Sequence, residues 1–143
     1  MNINVIVIPH EHQRYNTVGD WWFQDYVGAN GPTQSLEIRV SQMSDWRHEM
    51  AIALHEQYEA LLCYNKNISD KYVTAFDVAF EIHKKTSGAY PPKSMAEPGD
   101  DPAAPYYAEH AKALVVEYMF LADTDVVRYL YNEELDQLDR DAK

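Results

Sequence analysis

The sequence predicts an α+β fold, with a small N-terminal antiparallel β-sheet followed by a bundle of three to four helices. Two observations predict it. Strand-like residues are confined to positions 1–42, whereas from position 44 to 140 the apolar residues recur at the spacing of helices. At 143 residues, with 46% hydrophobic residues, the chain is long enough to bury a core. We therefore expect a single domain over 1–143.

Three segments of the β-rich part have strand patterns. Asn2–Ile8 is mostly β-branched and ends before Pro9, and Thr17–Tyr26 is rich in aromatic residues. Ser35–Ser41 alternates between apolar and polar residues, so its apolar side chains share one face. The glycines and proline of Gly28–Pro32 mark a turn between the second and third strands. The pattern predicts a sheet with one covered face.

Four later segments have helical patterns. They begin at Ser44 or Asp45, at Ser69 or Asp70, at Tyr106 or Tyr107, and after a cap at Asp123 or Thr124, and they end near Tyr64, Lys85, Ala122 and Leu138. On the first helix, the pattern predicts a buried side formed by Met50, Leu54, Tyr58, Leu61 and Leu62. Positions 87–105 hold five of the seven prolines and form a loop. A loop of that length in a small domain is usually functional or mobile.

Composition limits the classes of partner. Asp and Glu number 23 against 12 Lys and Arg, which gives a net charge of −11. Such a chain lacks the basic footprint that a nucleic-acid backbone requires, so we expect a small-molecule substrate or ligand instead. No stretch has the roughly 20 apolar residues of a membrane helix, and the start lacks a secretory pattern. We expect a cytoplasmic location and no membrane partner, and a homo-oligomer stays open.

The segment with most chemical information is an H-E-x-x-E run inside the first helix. His55 and Glu59 are four residues apart, so their side chains lie on one helix face within reach of one metal ion. Glu56 sits beside them, where it can take a proton from a metal-activated water. The run therefore predicts two metal ligands and a general base.

Other helices must supply the remaining ligands, because one helical turn offers only two. Asp77 on the second helix and His110 on the third are the residues that we expect to complete the shell. The further candidates are Glu81, Glu97, Asp101 and Glu117. Zinc suits a site with two imidazoles, whereas magnesium or manganese would suit one dominated by carboxylates. These residues favour a divalent-metal-dependent hydrolase, with a phosphoester or nucleotide substrate slightly preferred over a peptide.

Two other interpretations fit the same residues. His55 and Glu59 can form an exposed ion pair on a solvated helix face, with no metal. Alternatively, the chain is a non-enzymatic protein that sequesters a small nucleotide-like ligand or a host protein, with its 11 tyrosines and three tryptophans providing stacking surfaces. Because Glu59 replaces the second histidine of H-E-x-x-H, the run also differs from the zinc peptidase motif.

Two resemblances accompany these residues. Glu56-x-x-Glu59 followed by an acidic second helix resembles the all-α nucleotide pyrophosphatases of the MazG type, which implies magnesium held by carboxylates. The runs His55-Glu56-x-x-Glu59-Ala60-Leu61-Leu62-Cys63 and Glu97-Pro98-Gly99-Asp100-Asp101-Pro102-Ala103-Ala104-Pro105-Tyr106 resemble an uncharacterised family of small proteins from bacteriophages and their bacterial hosts. That likeness implies a phage origin and a nucleotide ligand, but it does not imply any particular activity.

Overall fold

A computed structural model describes residues 1–88 and 95–142, with the side chain of Tyr26 excepted. Positions 89–94 of the expected proline-rich loop and Lys143 lie outside the described residues. The strands are β1 (Asn2–Ile8), β2 (Gly19–Gly28) and β3 (Gly31–Ser41), and the helices are α1 (Trp46–Asn65), α2 (Asp70–Thr86), α3 (Tyr107–Asp123) and α4 (Arg128–Asp141). Short 3₁₀ turns lie at His10–His12 and Pro98–Asp100. The α+β class is confirmed.

The sheet is mixed, which corrects the expectation of an antiparallel one. Strands β2 and β3 form the expected antiparallel hairpin, and Gly31 at its turn has φ +102°, a conformation that favours glycine. Strand β1 pairs parallel to β3, with Val5 opposite Ile38, so the strand order is β1-β3-β2. Strands β1 and β3 therefore run in one direction and β2 runs in the other, with β3 at the centre of the sheet.

The core lies between the sheet and α1. Leu36, Ile38 and Val40 of β3 are fully buried, as their alternation predicted, and they pack with Ile52 of α1 and Trp21 of β2. Burying each aliphatic side chain of this size contributes about 1.5–3 kcal/mol to folding. The sheet and α1 therefore form a firm platform for the residues that α1 carries.

The buried face of α1 differs from the predicted one. Leu54 and Tyr58 are 36% and 41% exposed, and the other predicted residues of that side are half-buried. The face that packs inward carries small and polar side chains instead: His48, Ala51, Ile52, Ala53, His55, Glu59, Ala60 and Cys63. The small residues allow α3 to approach α1 closely, and the buried polar side chains must then find partners on other elements.

Helix α4 begins at Arg128, three residues after the predicted start. Asp125 has φ +56°, a left-handed conformation that no helix contains, so it separates α3 from α4. The Thr124 hydroxyl, predicted as a cap of α4, donates to the carbonyl of Phe120 and so caps the end of α3. Among the described residues, no helix has the length and apolar content to span a membrane.

Candidate functional site

A cavity of about 480 Å³ lies beside α1, enclosed by residues before and in β2, by the Pro98–Asp100 turn and by the other three helices. Among the described residues, ten acidic residues line it, against one lysine, one arginine and two histidines, which are Lys84, Arg128, His55 and His110. Aromatic side chains, including Tyr15, Tyr106 and Tyr131, complete its walls. So many carboxylates around one space favour protons or bound cations inside it, because like charges repel strongly in a poorly solvated site.

Glu59 is the centre of a buried imidazole–carboxylate network in this cavity. Its Oε2 lies 3.2 Å from His55 Nε2 and 3.0 Å from His110 Nδ1. Its Oε1 accepts a hydrogen bond of 2.9 Å from the indole Nε1–H of Trp21. The carboxylate of α1 thus joins a histidine one turn earlier to a histidine of α3, and β2 fixes its orientation.

The network continues from His55 to α3 and α4. His55 Nδ1 lies 2.8 Å from Glu117 Oε1, and the hydroxyl of Tyr131 donates to Glu117 Oε2 over 2.6 Å. His55, Glu117 and Tyr131 are all buried. Each ring nitrogen of His55 therefore has a carboxylate partner, which is how a buried ionisable group avoids a large desolvation penalty.

His110 carries the network outward to the 3₁₀ turn. Its Nε2 lies 3.2 Å from Glu97 Oε2 and 3.3 Å from Asp100 Oδ1. Gly99 packs against the imidazole ring: a Cβ at that position would lie 2.3 Å from His110 Cγ. Only glycine fits at this position, so Gly99 allows the Pro98–Asp100 turn to lie directly against the imidazole of His110.

Glu56 also lines the cavity and lies against the start of β2. A Cβ on Gly19 would lie 2.7 Å from both Cγ and Oε1 of Glu56. Burial and the nearby charge of Glu59 raise the pKa of Glu56 well above its usual range. A carboxyl group with a raised pKa holds its proton more strongly than an ordinary one, as suits a general acid or base.

The pKa values of the paired groups move in the direction that strengthens the network. Burial alone would lower the pKa of His55, but its bonds to Glu117 and Glu59 raise it well above the ordinary value. Burial alone would raise the pKa of Glu59, but the two imidazoles that it contacts lower it. Without a metal, the two histidines are thus stabilised as cations between carboxylates.

The arrangement also has dimensions that suit a metal ion. Ligand atoms of His55, Glu59 and His110 all lie within 4.8 Å of one another. In a tetrahedral zinc site with bonds near 2.1 Å, ligand atoms are about 3.4 Å apart. The two distances from Glu59 Oε2 to the imidazole nitrogens, 3.2 and 3.0 Å, are slightly shorter than that. If these contacts lengthened by a few tenths of an ångström, a divalent ion could take the place of the shared protons. The group could therefore hold one.

The structure brings together three of the four ligands expected from the sequence. Asp77 lines the same cavity but accepts hydrogen bonds from the hydroxyls of Tyr15, at 2.8 Å, and Tyr106, at 2.5 Å. Its ligand atoms do not share a group with those of His55, Glu59 and His110. Burial raises the pKa of Asp77 to about 7 despite the two hydroxyls that lower it.

The further candidates divide in the same way. Glu117 and Glu97 reach the network, whereas Glu81 lines the cavity beside Asn16 Nδ2 at 3.4 Å. Asp101 accepts a hydrogen bond from the backbone N–H of Ala103 and does not line the cavity. Asp100, the residue before Asp101, is the one that faces His110. Two adjacent acids in one turn point in different directions, which spacing alone does not reveal.

Sequence reasoning did not identify the hydrogen-bond donors that hold the carboxylates. Trp21 holds Glu59, Tyr131 holds Glu117, and Tyr15 and Tyr106 hold Asp77. The high tyrosine content was the one signal of them, because a buried phenol needs a polar partner. Comparisons with protein-family models, with curated proteins and with solved structures gave no match to this chain. The assignment of the candidate site therefore rests on the geometry of its residues.

Proposed function

We propose that this chain is a divalent-metal-dependent hydrolase. The observation that carries the proposal is the convergence of His55, Glu59 and His110 from two helices in a cavity that Glu56 also lines. Two imidazoles and a carboxylate are a ligand set that suits zinc, with manganese or magnesium as less suitable ions. In this proposal Glu117 orients His55 through its second ring nitrogen, which is the usual arrangement for a metal-ligating histidine.

The role of Glu56 follows from its position and pKa. A bound divalent ion lowers the pKa of a coordinated water and makes it a nucleophile near neutral pH. Glu56 lies next to the ligands without a hydrogen-bond partner of its own among the described contacts, and its raised pKa suits it to accept the proton of that water. It can then return the proton to the leaving group, as general bases in hydrolases do.

The substrate that we favour is a phosphoester, including nucleotides. The net cavity charge opposes an anionic substrate unless a cation is bound, so the metal would have to bridge acid and phosphate. Lys84 and Arg128 line the cavity and could contact the remaining phosphate oxygens. The phage-protein resemblance agrees with a nucleotide substrate but stays a prediction.

The aromatic lining favours a second candidate function, a binding protein that sequesters a nucleotide-like ligand without hydrolysing it. Trp21, Tyr106 and Tyr118 line the cavity beside the network. Flat rings of this kind stack on bases and contribute about 1–3 kcal/mol for each base. The two functions share a cavity and differ in whether Glu56 takes part in chemistry.

The test begins with metal content. Protein dialysed after exposure to zinc is expected to retain the metal by elemental analysis, and Glu59→Gln is expected to lose it. Glu49→Gln is the matched control, because Glu49 lies on the same helix, bonds the backbone of Met43 and does not line the cavity. A natural chain that retains no zinc, manganese or magnesium would contradict the proposal.

Turnover then separates the enzyme from the binder. Zinc-loaded protein is assayed with bis(p-nitrophenyl) phosphate, a nucleoside triphosphate and a chromogenic peptide. Glu56→Gln is expected to retain the metal and to lose about 10²–10⁴-fold in rate, the usual contribution of a general base. Equal rates for Glu56→Gln and Glu49→Gln would remove Glu56 from the mechanism, and binding without turnover in the natural chain would favour the sequestering function.

A further inference from the structure

The four ring nitrogens of His55 and His110 are not equivalent. Three of them have hydrogen-bond partners: both nitrogens of His55, and Nδ1 of His110, which bonds Glu59. The fourth, His110 Nε2, is buried and has no hydrogen-bond partner among residues 1–88 and 95–142. A buried nitrogen without an aligned hydrogen bond is costly, because it has lost its contact with water and ion-pair contacts replace that only in part.

That nitrogen faces two carboxylate oxygens. Glu97 Oε2 is 3.2 Å away and Asp100 Oδ1 is 3.3 Å away, but neither contact has the alignment of a hydrogen bond. One nitrogen and two carboxylate oxygens, from three different residues, thus converge at short distance on a point that no protein hydrogen bond explains. A divalent cation is the species that this donor set would satisfy.

The convergence is held in place on both sides. Asp100 Oδ2 accepts a hydrogen bond of 3.0 Å from the backbone N–H of Glu97, which leaves Oδ1 directed at His110. On the other side of the ring, His110 Nδ1 lies 3.0 Å from Glu59 Oε2. A histidine that binds a metal through one nitrogen usually contacts a carboxylate through the other, and Glu59 has that position when the inner group holds no ion. With both ions bound, His110 would bridge them as an imidazolate.

Exposure differs between this group and the inner one. The side chains of Glu97 and Asp100 are 42% and 24% exposed, whereas those of His55 and Glu59 are each 5% exposed. A cation at the outer group could be reached from solvent and would keep coordination positions open to water or to a ligand. The inner group is more enclosed, and a cation there would be reached through the cavity that its residues line.

We propose that Glu97, Asp100 and Nε2 of His110 form a second divalent-cation position at the mouth of the cavity, distinct from the inner group of His55, Glu59 and His110 Nδ1. This inference rests on the proposed metal-dependent function. It deepens that function, because a cation at the mouth supplies the positive charge that a phosphate needs to enter a cavity lined by ten acidic residues.

The direct test asks which nitrogen of His110 binds zinc. Long-range ¹H–¹⁵N NMR correlations of the histidine rings are recorded on the full chain during titration with Zn²⁺. Displacement of the Nε2 resonance of His110 is expected. If zinc moves only the Nδ1 resonance of His110, with that of His55 Nε2, the outer position is overturned and the inner one stands.

Zinc stoichiometry in variants gives an independent measure. His55→Gln removes an inner ligand and is expected to keep one equivalent of zinc, and Glu97→Gln with Asp100→Asn in that background is expected to lose it. Asp123→Asn, on the exposed end of α3, is the matched control for the loss of negative charge. A folded His55→Gln chain that binds no zinc would overturn the outer position.

The reciprocal variant keeps the two proposals apart. If Glu97→Gln with Asp100→Asn, in a chain with His55 intact, also loses all zinc, the outer position is supported and the inner one fails. Circular dichroism checks the fold of each variant. If His55→Gln does not fold, the NMR titration of the natural chain decides alone.

Discussion

Two histidines of α1 make the same kind of bond and differ in what surrounds them. His48 and His55 are seven residues apart, so they lie on one stripe of the helix, and both are buried. His48 Nδ1 lies 2.7 Å from Glu134 Oε1 of α4, and His55 Nδ1 lies 2.8 Å from Glu117 Oε1 of α3. The two histidines are alike in helix position, in the burial of the imidazole and in bond length.

The second ring nitrogen separates them. His48 Nε2 is 4.0 Å from Asp45, and the side chain of Glu134 is 21% exposed against 7% for Glu117. This pair therefore lies nearer the surface, where it joins α1 to α4. His55 Nε2 meets Glu59, which is shared with His110 inside the cavity. A shared carboxylate, rather than burial or an ion pair, is therefore the property that distinguishes a candidate metal centre from a structural histidine.

The largest expected effect comes from replacing the two glutamate partners in turn. Glu117→Gln leaves His55 with one buried carboxylate fewer and is expected to lower the free energy of unfolding by about 3 kcal/mol, as when a buried pair loses one partner. Glu134→Gln, the matched change at the more exposed pair, is expected to cost about 1 kcal/mol or less. Urea unfolding at pH 7 on metal-free protein measures both, and equal losses would break the comparison.

A second experiment compares two buried carboxylates of the cavity. Glu59 meets imidazoles, whereas Asp77 meets the neutral hydroxyls of Tyr15 and Tyr106, and its pKa is raised from 3.8 to about 7. In the unfolded chain Asp77 ionises near pH 4, so its contribution to stability is lost as the pH rises from about 4 to about 7. Asn does not ionise, so Asp77→Asn is expected to keep its stability as the pH rises.

The stabilisation by Asp77→Asn is therefore expected to be near zero at pH 4 and to reach roughly 2–4 kcal/mol at pH 8 in metal-free protein. Urea unfolding of both chains across that range measures it. A difference independent of pH would mean that folding leaves the pKa of Asp77 unchanged. Tyr15→Phe is a useful companion variant. Removing one hydroxyl donor is expected to raise the pKa of Asp77 further, so the loss of stability would extend to higher pH.

The smallest effect concerns the surface end of the His48 region. Asp45 caps α1 through the backbone N–H of Arg47 at 2.9 Å, and the bonds from Arg47 lower its pKa to about 2. Asp45→Ala is expected to cost about 1 kcal/mol, and Asp45→Asn less, since the amide keeps the cap. Because the folded pKa is below the unfolded one, the benefit of Asp45 is present above about pH 4 and is lost as the pH falls toward 2.

This last pair of variants is measured by urea unfolding at pH 7 and at pH 3, with zinc uptake recorded for each. Zinc uptake is expected to be unchanged, because Asp45 does not line the cavity. If Asp45→Ala altered zinc uptake, the two histidine regions would be coupled and the comparison between them would need revision.

The sequence by itself determined the α+β class, the positions of most strands and helices, and the residues of the inner group that could hold a metal ion. Local rules were sufficient there, since alternation placed Leu36, Ile38 and Val40 in the core, and four-residue spacing placed His55 beside Glu59. Both depend on backbone geometry within one element, which neighbouring residues largely decide.

Only the tertiary structure decided the rest. It set the parallel pairing of β1, turned Leu54 and Tyr58 of α1 outward, and directed Asp100 instead of Asp101 at His110. It also supplied Trp21 and Tyr131 as donors to Glu59 and Glu117. These features join residues that are far apart in the chain, or depend on which way a turn points, and no local pattern encodes them. A charge can be buried only where distant groups satisfy it, so packing selected the polar face of α1.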